Sequence, residues 1–302
     1  TEHPEIFDGR VKSLHPAIHG PLLARLHQED DAAELDRLGY APIRVVACNL
    51  YPFAAAAKQD PPLDDPALLE MIDIGGPTMV RASAKNHQHV LIATNPERYD
   101  AILNALRQAG SPEHVSIDLR RTLALEAFQH TASYDATIAN ELHNRIVGDP
   151  THQESMESQR DHLPTTMLSA SEQTQLLRYG ENSHQAAGLY VDVTAKEGHS
   201  TLVTARVEGG KAMSYNNYSD ADATLRLCRS LSTDEWPESP HACVIVKHNN
   251  PCGAALAATQ QEAFEQALAS DPESAFGSII CFNEIVQFET ADAIGDLFVE
   301  VM

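Results

Sequence analysis

Hydrophobic and polar positions along the chain follow two different periods, and the switches between them mark out its elements. IRVVACNLYPF (43–53) opens on consecutive apolar and β-branched residues, the pattern of a buried strand; Tyr51-Pro52 ends it, because proline cannot donate to a central ladder. PALLEMIDIGGPTMVRASAKN (66–86) turns to helical spacing, with a short helix, a Gly75-Gly76 turn and a second helix that has Pro77 in its first position. HVLIATN (89–95) predicts another buried strand, followed by a helix from about Pro96 to Ala109 that Gly110 closes. Between Ile117 and Val147 the residues Leu119, Leu123, Leu125, Phe128, Ile138, Leu142 and Ile146 recur at helical intervals and predict one or two long helices.

The pattern then fades. From Gly148 to about Gln175 the chain is polar with few large apolar residues, which predicts a linker. The resulting division is a first domain at 1–148, a linker at 149–175 and a second domain at 176–302. Beyond the linker, TLVTARVEG (201–209), ACVIVKH (242–248) and SIICFN (278–283) read as strands, with helices near 217–231, 259–270 and from about Thr290. Strands alternating with helices in both halves predict an α/β architecture, and 302 residues are enough for two cores. No short internal repeat interrupts the pattern.

Charge narrows the partners. With 43 acidic against 21 basic residues the chain carries −22, which disfavours general affinity for nucleic acid or anionic membrane surfaces; no apolar run approaches a membrane span. Five cysteines without a close pair, Cys48, Cys228, Cys243, Cys252 and Cys281, argue against a disulfide framework and for a reducing, cytoplasmic home. Only six lysines stand in this acidic background. Lys12, Lys85, Lys211 and Lys247 lie in uncharged, turn-rich stretches, where an ammonium suits a phosphate or a developing oxyanion. Lys58 and Lys196 read as surface residues.

VIVKHNNPCG (244–253) is the sharpest constellation. The preceding ACVIV has no polar position, so both faces of that strand are expected to be covered, and Lys247 and His248 emerge at its carboxyl end. An imidazole there can accept a proton from an attacking amine while the ammonium stabilises an oxyanion; the plain alternative is a strand-end pair facing solvent. A zinc deaminase would need a glutamate two places after the histidine and a Pro-Cys-x-x-Cys motif. Asn250 and Ala255 occupy those positions, so the zinc reading fails. His15 and His19 have helical metal-ligand spacing, but Pro16 lies between them and no third ligand is near.

Two further groups are polar without being specific alone. DGRVKSLHP (8–16), CNLYPF (48–53), IDIGG (72–76) and ASAKNH (82–87) supply Arg10 and Lys12 for a phosphate, Tyr51 as a hydrogen-bonding phenol, Asp73 for proton movement and Lys85 as a second cation. The glycines before Pro77 also suggest an anion seat at a helix start. LRYGENSHQ (177–185) and GKAMSYNNYSD (210–220) supply Arg178, Tyr179, His184, Lys211, Asn216 and Asn217, a set suited to a nucleotide.

Taken in order, GRVKSLHPAIHG, CNLYPF, IDIGGPTMVRASAKNH, LRYGENSHQ, SYNN, VKHNNPCG and DPESAFG resemble one family, the bifunctional purine-biosynthesis proteins that join phosphoribosylaminoimidazolecarboxamide formyltransferase to IMP cyclohydrolase. The resemblance spans almost the whole chain. It implies an incomplete methylglyoxal-synthase-like α/β domain followed by an incomplete cytidine-deaminase-like domain that has shed its zinc. In the first, Lys12, Tyr51, Asp73 and Lys85 would be the cyclohydrolase residues, with Arg10, Cys48, Asn49, Gly75 and Gly76 binding substrate. Lys12 and Lys85 would polarise the formyl oxygen and the phosphate side, Asp73 would shuttle a proton, and Tyr51 would hydrogen-bond the tetrahedral intermediate. In the second, His248 would be the base and Lys247 its electrostatic partner. Arg178, Tyr179, His184, Lys211 and Asn217 would hold the nucleotide, with Phe276 and Gly277 close to it.

The resemblance further implies 10-formyltetrahydrofolate as co-substrate, a purine ribonucleotide as substrate, no metal, and a homodimer when the protein is complete. Family members carry a phosphate-binding start before the position of Thr1 and much of the folate pocket beyond that of Met302. An internal fragment is therefore expected, weakly active alone; the alternative is a noncatalytic nucleotide-binding fragment of the same ancestry.

Overall fold

The computed structural model describes residues 6–148, 166–193, 201–231 and 235–302. The chain divides into two units, Thr1–Ser171 with Asp192–Lys196, and Glu172–Val191 with Glu197–Met302, both mixed α/β.

In the first unit, α1 (Pro16–Leu23) starts where the His15 imidazole Nδ1 accepts the Ala17 N–H. The His15 and His19 pair thus has a capping role at His15. α2 (Glu29–Leu38) ends at Gly39, whose φ of 68° is open to glycine. β1 (Val45–Ala47) pairs in parallel with β2 (Leu91–Ala93), and Cys48 N donates to Ala93 O at 3.0 Å, carrying the ladder one residue past β1. Short helices α3 (Phe53–Ala57) and α4 (Asp65–Leu69) lead to α5 (Gly75–Lys85). α6 (Tyr99–Ala109) follows a 3-10 turn at Pro96–Arg98, and α7 (Ile117–Gly148) is one continuous helix of 32 residues.

Val80 and Ala84 of α5, all of β2, Ile102 of α6 and Leu123, Ala124 and Ala127 of α7 are buried together; of the apolar positions expected to pack α7, Leu125, Phe128 and Ile146 are exposed instead, because the helix lays the face carrying its alanines on the core. Phe53, Ala56 and Leu68 form a second cluster against Tyr134 and Ile138. Asn86 ties the end of α5 to that of α1 by donating to Leu22 O and Ala24 O, both at 2.9 Å. One expectation shifts here. Gly75 and Gly76 lie in the first turn of α5, not in a separate turn before it, because the Asp73 carboxylate accepts the Gly76 N–H at 2.8 Å and so draws the helix start back.

In the second unit, β3 (Ser171–Leu177) and β4 (Ala187–Asp192) form a two-stranded sheet. Most of the expected linker lies outside the described residues, and its last stretch is this strand. α8 (Tyr215–Ser230) precedes a four-stranded sheet of β5 (His241–Lys247), β6 (Asn250–Ala257), β7 (Ser278–Phe282) and β8 (Val299–Val301), ordered β6-β5-β7-β8. β5 is antiparallel to β6 and β7, while β7 and β8 are parallel.

β5 is interior, with Ala242 to Val246 all at 1% exposure or less, as its unbroken apolar run requires. Period-two alternation divides its side chains. Cys243 and Ile245 pack with Ala263, Phe264 and Ala267 of α9 (Gln260–Ser270), whereas Ala242, Val244 and Val246 pack with Cys228 and Leu227 of α8. α10 (Phe288–Ile294) adds Ile294 to the α9 side.

One expectation fails here. TLVTARVEG is turn and coil: Thr201 N donates to Thr204 Oγ1 at 3.1 Å and Thr204 N to Thr201 O at 3.2 Å, folding the segment on itself, and Val207 is exposed. The NPCG end of VIVKHNNPCG is part of β6. Its register slips by one residue between Ile245 and Val246, leaving Cys252 as a bulge opposite them.

Candidate functional site

Two clusters gather the candidate residues, one in each unit. In the first unit the start of α5 is the organising feature. Asp73 is held from both sides: its N–H donates to the Tyr134 hydroxyl at 2.8 Å, that hydroxyl donates to Met71 O at 3.1 Å, and Asp73 Oδ1 accepts from Gly76 N. A Cβ on Gly76 would lie 2.1 Å from Asp73 Oδ2 and 2.8 Å from Leu50 Cδ2, and one on Gly75 would lie 2.1 Å from Ser13 Oγ. Both glycines are there because other side chains need that space. The segment carrying Lys12 and Ser13 is thereby laid against the helix start.

Arg10 forms an exposed ion pair with Glu70. Cys48 faces the Gly76 carbonyl at 4.0 Å; burial first, and the Asp73 carboxylate second, hold its thiol protonated beyond the usual range. Asn49 Nδ2 donates to Thr94 O at 3.3 Å, and Tyr51 is 54% exposed at the edge of this group. Lys85 is placed differently. It is exposed in the last turn of α5, ten residues from Gly75 and so about 15 Å along the axis at ~1.5 Å per residue. Arg10, Lys12, Cys48, Asn49, Asp73, Gly75 and Gly76 are thus grouped around the start of α5, and Lys85 stands at its far end. Because Asp73 already takes the Gly76 N–H and Pro77 has none, the expected anion seat keeps few free donors.

The second cluster forms where β5 turns into β6. Lys247 pairs with Asn250, and the two residues between, His248 and Asn249, have φ of 54° and 59°. A two-residue hairpin loop with both residues left-handed matches strand twist; asparagine tolerates that conformation, whereas the His248 side chain resists it at about 1–2 kcal/mol. The offset is visible. The Asp220 carboxylate of α8 accepts Asn249 N at 2.7 Å and His248 N at 3.3 Å, and charge-assisted hydrogen bonds of this kind contribute roughly 1.5–3 kcal/mol each. Both bonds are solvent-exposed, which screens them, and they act together with the contacts of Ser219 and Asn250 to hold the turn. Ser219 Oγ meets Asn249 Oδ1 at 3.0 Å and Asn250 Nδ2 donates to His248 O at 2.8 Å.

The Lys247 ammonium donates to Phe276 O at 2.7 Å, bringing VKHNN and SAFG together. Gly277, at φ 72°, donates to Phe298 O at 2.7 Å, and Phe276 remains 62% exposed beside Phe298, ring centroids 5.5 Å apart. The His248 imidazole is exposed, and its residue is fixed through backbone groups.

The remaining candidates surround α8. Ser214 and Asn217 form a reciprocal cap, Asn217 Oδ1 accepting Ser214 N at 2.9 Å, so the Asn217 oxygen is engaged in the cap. Asn216 Nδ2 donates to Glu181 O at 3.4 Å, joining α8 to the loop that carries exposed His184. Arg178 stacks its guanidinium over the Tyr179 ring at 5.6 Å. Lys211 is exposed on the coil before α8. Asp220, Ser219, Tyr134, Ser13 and Glu70 were missed as site residues. Asp220 stands in the quoted SYNNYSD, but its partners are 28 and 29 residues away and only backbone groups, which leave no mark in sequence.

Among the described residues no group of three or more His, Cys, Asp or Glu is placed to hold a metal ion. The molecule is thus a two-unit α/β protein with a polar, cation-bearing cluster in each unit. It belongs to the AICARFT/IMPCHase bienzyme family, whose description matches residues 83–302. A bifunctional purine biosynthesis protein PurH from Persephonella marina (strain DSM 14350 / EX-H1) is 42% identical over 302 residues, covering 100% of this chain and 54% of that protein. The chain therefore spans about half the length of that curated relative. Among solved structures, one titled "Crystal structure of ForH" shares 36% identity over 47% of this chain and 72% of its own, with a TM-score of 0.41.

Proposed function

We propose that this chain contributes to two steps of purine synthesis: formyl transfer from 10-formyltetrahydrofolate to aminoimidazole carboxamide ribonucleotide, and dehydrative closure of the product to IMP. The observation that carries the reading is the hairpin end of β5, where Lys247, its ammonium bonded to Phe276 O, is followed directly by His248 on a clamped turn. The amine of an aminoimidazole carboxamide is a poor nucleophile, so its attack on the formyl carbon needs a base and an oxyanion partner. His248 takes the amine proton as the new C–N bond forms, Lys247 stabilises the tetrahedral oxygen, and the folate nitrogen leaves and is reprotonated. Arg178, Tyr179, His184, Lys211 and Asn217 bind the nucleotide, with Phe276 and Gly277 beside its ring.

In the first unit Asp73 moves the proton during closure, with Oδ1 anchored by Gly76 N and Oδ2 turned to substrate. Lys12 and Lys85 polarise the formyl oxygen and face the phosphate, Tyr51 hydrogen-bonds the intermediate, and Arg10, Cys48, Asn49, Gly75 and Gly76 line the pocket. Lys85 joins this group only if substrate spans the length of α5. The domains then correspond to a methylglyoxal-synthase-like unit and a zinc-free cytidine-deaminase-like unit, working in a cytoplasmic homodimer.

The test is a pair of separate assays on the full-length protein. His248→Ala should lower transfer by roughly a hundred- to ten-thousand-fold, the range for a positioned general base, and Lys12→Ala should lower closure instead. Transfer at the normal rate in His248→Ala would remove the histidine from the mechanism.

A further inference from the structure

We propose that Asp220 is a positioning residue for formyl transfer, acting by holding the His248-Asn249 turn and so fixing the His248 imidazole. This rests on the reading of His248 as the base. The geometry is specific. One carboxylate receives two successive N–H groups of a left-handed pair, Asn249 N on Oδ1 at 2.7 Å and His248 N on Oδ2 at 3.3 Å, the concave arrangement in which consecutive backbone donors bind an anion. Here the anion is the protein's own.

The support is itself rigid. Asp220 lies in the second turn of α8, whose first turn is closed by the Ser214-Asn217 cap; Thr224 Oγ1 donates back to Asp220 O at 2.5 Å, and neighbouring Ser219 bonds the Asn249 side chain. Two adjacent α8 residues therefore grip the same turn at different atoms. Without the carboxylate, the His248 and Asn249 N–H groups lose their acceptor and only the hairpin register and the Ser219 and Asn250 contacts hold the left-handed pair; a loop that relaxes to another turn type re-aims the imidazole while Lys247 stays on Phe276 O. A misplacement of about 1 Å is enough to cost on the order of a hundredfold in rate.

The experiment uses the full-length protein with Asp220→Ala, Asp220→Asn and the double variant Asp220→Ala with Asn249→Gly. Transfer kcat, KM for the ribonucleotide, ring closure, and amide hydrogen exchange of residues 248 and 249 are measured on each. The expected result for Asp220→Ala is a transfer kcat lowered ten- to a hundredfold with KM and closure little changed, and faster exchange at both amides. Asn keeps one acceptor oxygen and should fall between. Glycine tolerates the left-handed turn unaided, so the double variant should regain most of the lost kcat.

Faster exchange with unchanged kcat would overturn the proposal, as would a joint loss of transfer and closure that glycine does not relieve, which marks a merely structural carboxylate. If the unsubstituted protein transfers no formyl group, the transferase reading and the role given to Asp220 fall together. Slow exchange at 248 and 249 in that same protein would then show the fault to lie in the reaction assigned, not in the clamp.

Discussion

Cys243 shows how burial at one residue becomes a property of the whole fold. Its side chain is fully enclosed between β5 and α9, and burial pushes its thiol from 9.0 up to about 12. A raised folded-state value means the folded protein keeps the proton longer than the unfolded chain. The stabilising contribution is therefore complete below pH 9 and is lost as pH rises toward 12. Between pH 9 and 10.5 the loss is on the order of 1–2 kcal/mol, since one pKa unit is ~1.4 kcal/mol. Cys243→Ala, compared with the parent by urea unfolding in reductant across that range, should lose stability less steeply on the alkaline side. Parallel curves for the two proteins would refute this. The other chemistry-bearing residues divide by how far their effect travels. Lys247 and His248 were legible because an apolar strand ends directly before them. Asn217 read as a nucleotide ligand, yet its oxygen completes a cap that the spacing Ser214-x-x-Asn217 already spells, and Asp220 was silent because it serves backbone atoms across a long interval.

Elements with long, regular apolar periods were the ones sequence made plain. α9 and β5 bury the faces their patterns predict, because many residues agree on one period; α7 is the helix its spacing predicts, but Leu125, Phe128 and Ile146 stay exposed while Ala124 and Ala127 join Leu123 in the core. β4 and β6 were missed, and TLVTARVEG is not the strand its residues suggest, because pairing with a neighbour's free edge decides such segments as much as their own residues do. β6 carries Pro251 and Gly253, both of which argue against a strand locally. The glycine has a tertiary reason: a Cβ there would stand 1.9 Å from Ala267 O and 2.8 Å from Ala267 C of α9. Both atoms are backbone within a helix and cannot swing aside. Gly253→Ala should therefore force β6 from α9 and destabilise the protein by about 1–3 kcal/mol, the range for overpacking, read as a lower thermal midpoint. Transfer should fall with it, since the same strand carries one side of the His248 turn. An unchanged midpoint would mean the approach of β6 to α9 is looser than these distances state.

At the scale of the whole molecule the dominant fact is charge, −22 from 43 acidic and 21 basic residues. Ion pairs such as Arg37–Glu34, Arg206–Glu208 and Arg226–Asp222 are largely exposed, and exposed pairs contribute about 0–1 kcal/mol each. Salt weakens these attractions, and it also weakens the repulsion among the acids that exceed the available cations. Those acids are in a two-to-one majority, so repulsion is the larger quantity and compactness is held against it. Raising ionic strength from 0.01 M to 0.1 M contracts the screening length from about 30 Å to about 10 Å, and to ~3 Å at 1 M, so most of the repulsion is removed early. The urea midpoint should accordingly rise with sodium chloride and level off within the first few tenths molar. Solute exclusion, the competing cause, strengthens steadily with concentration and would give sulfate a much larger effect than chloride at equal ionic strength. A midpoint that fell with salt would reverse the balance, showing that the ion pairs outweigh the unpaired acids and that charge here is arranged for cohesion.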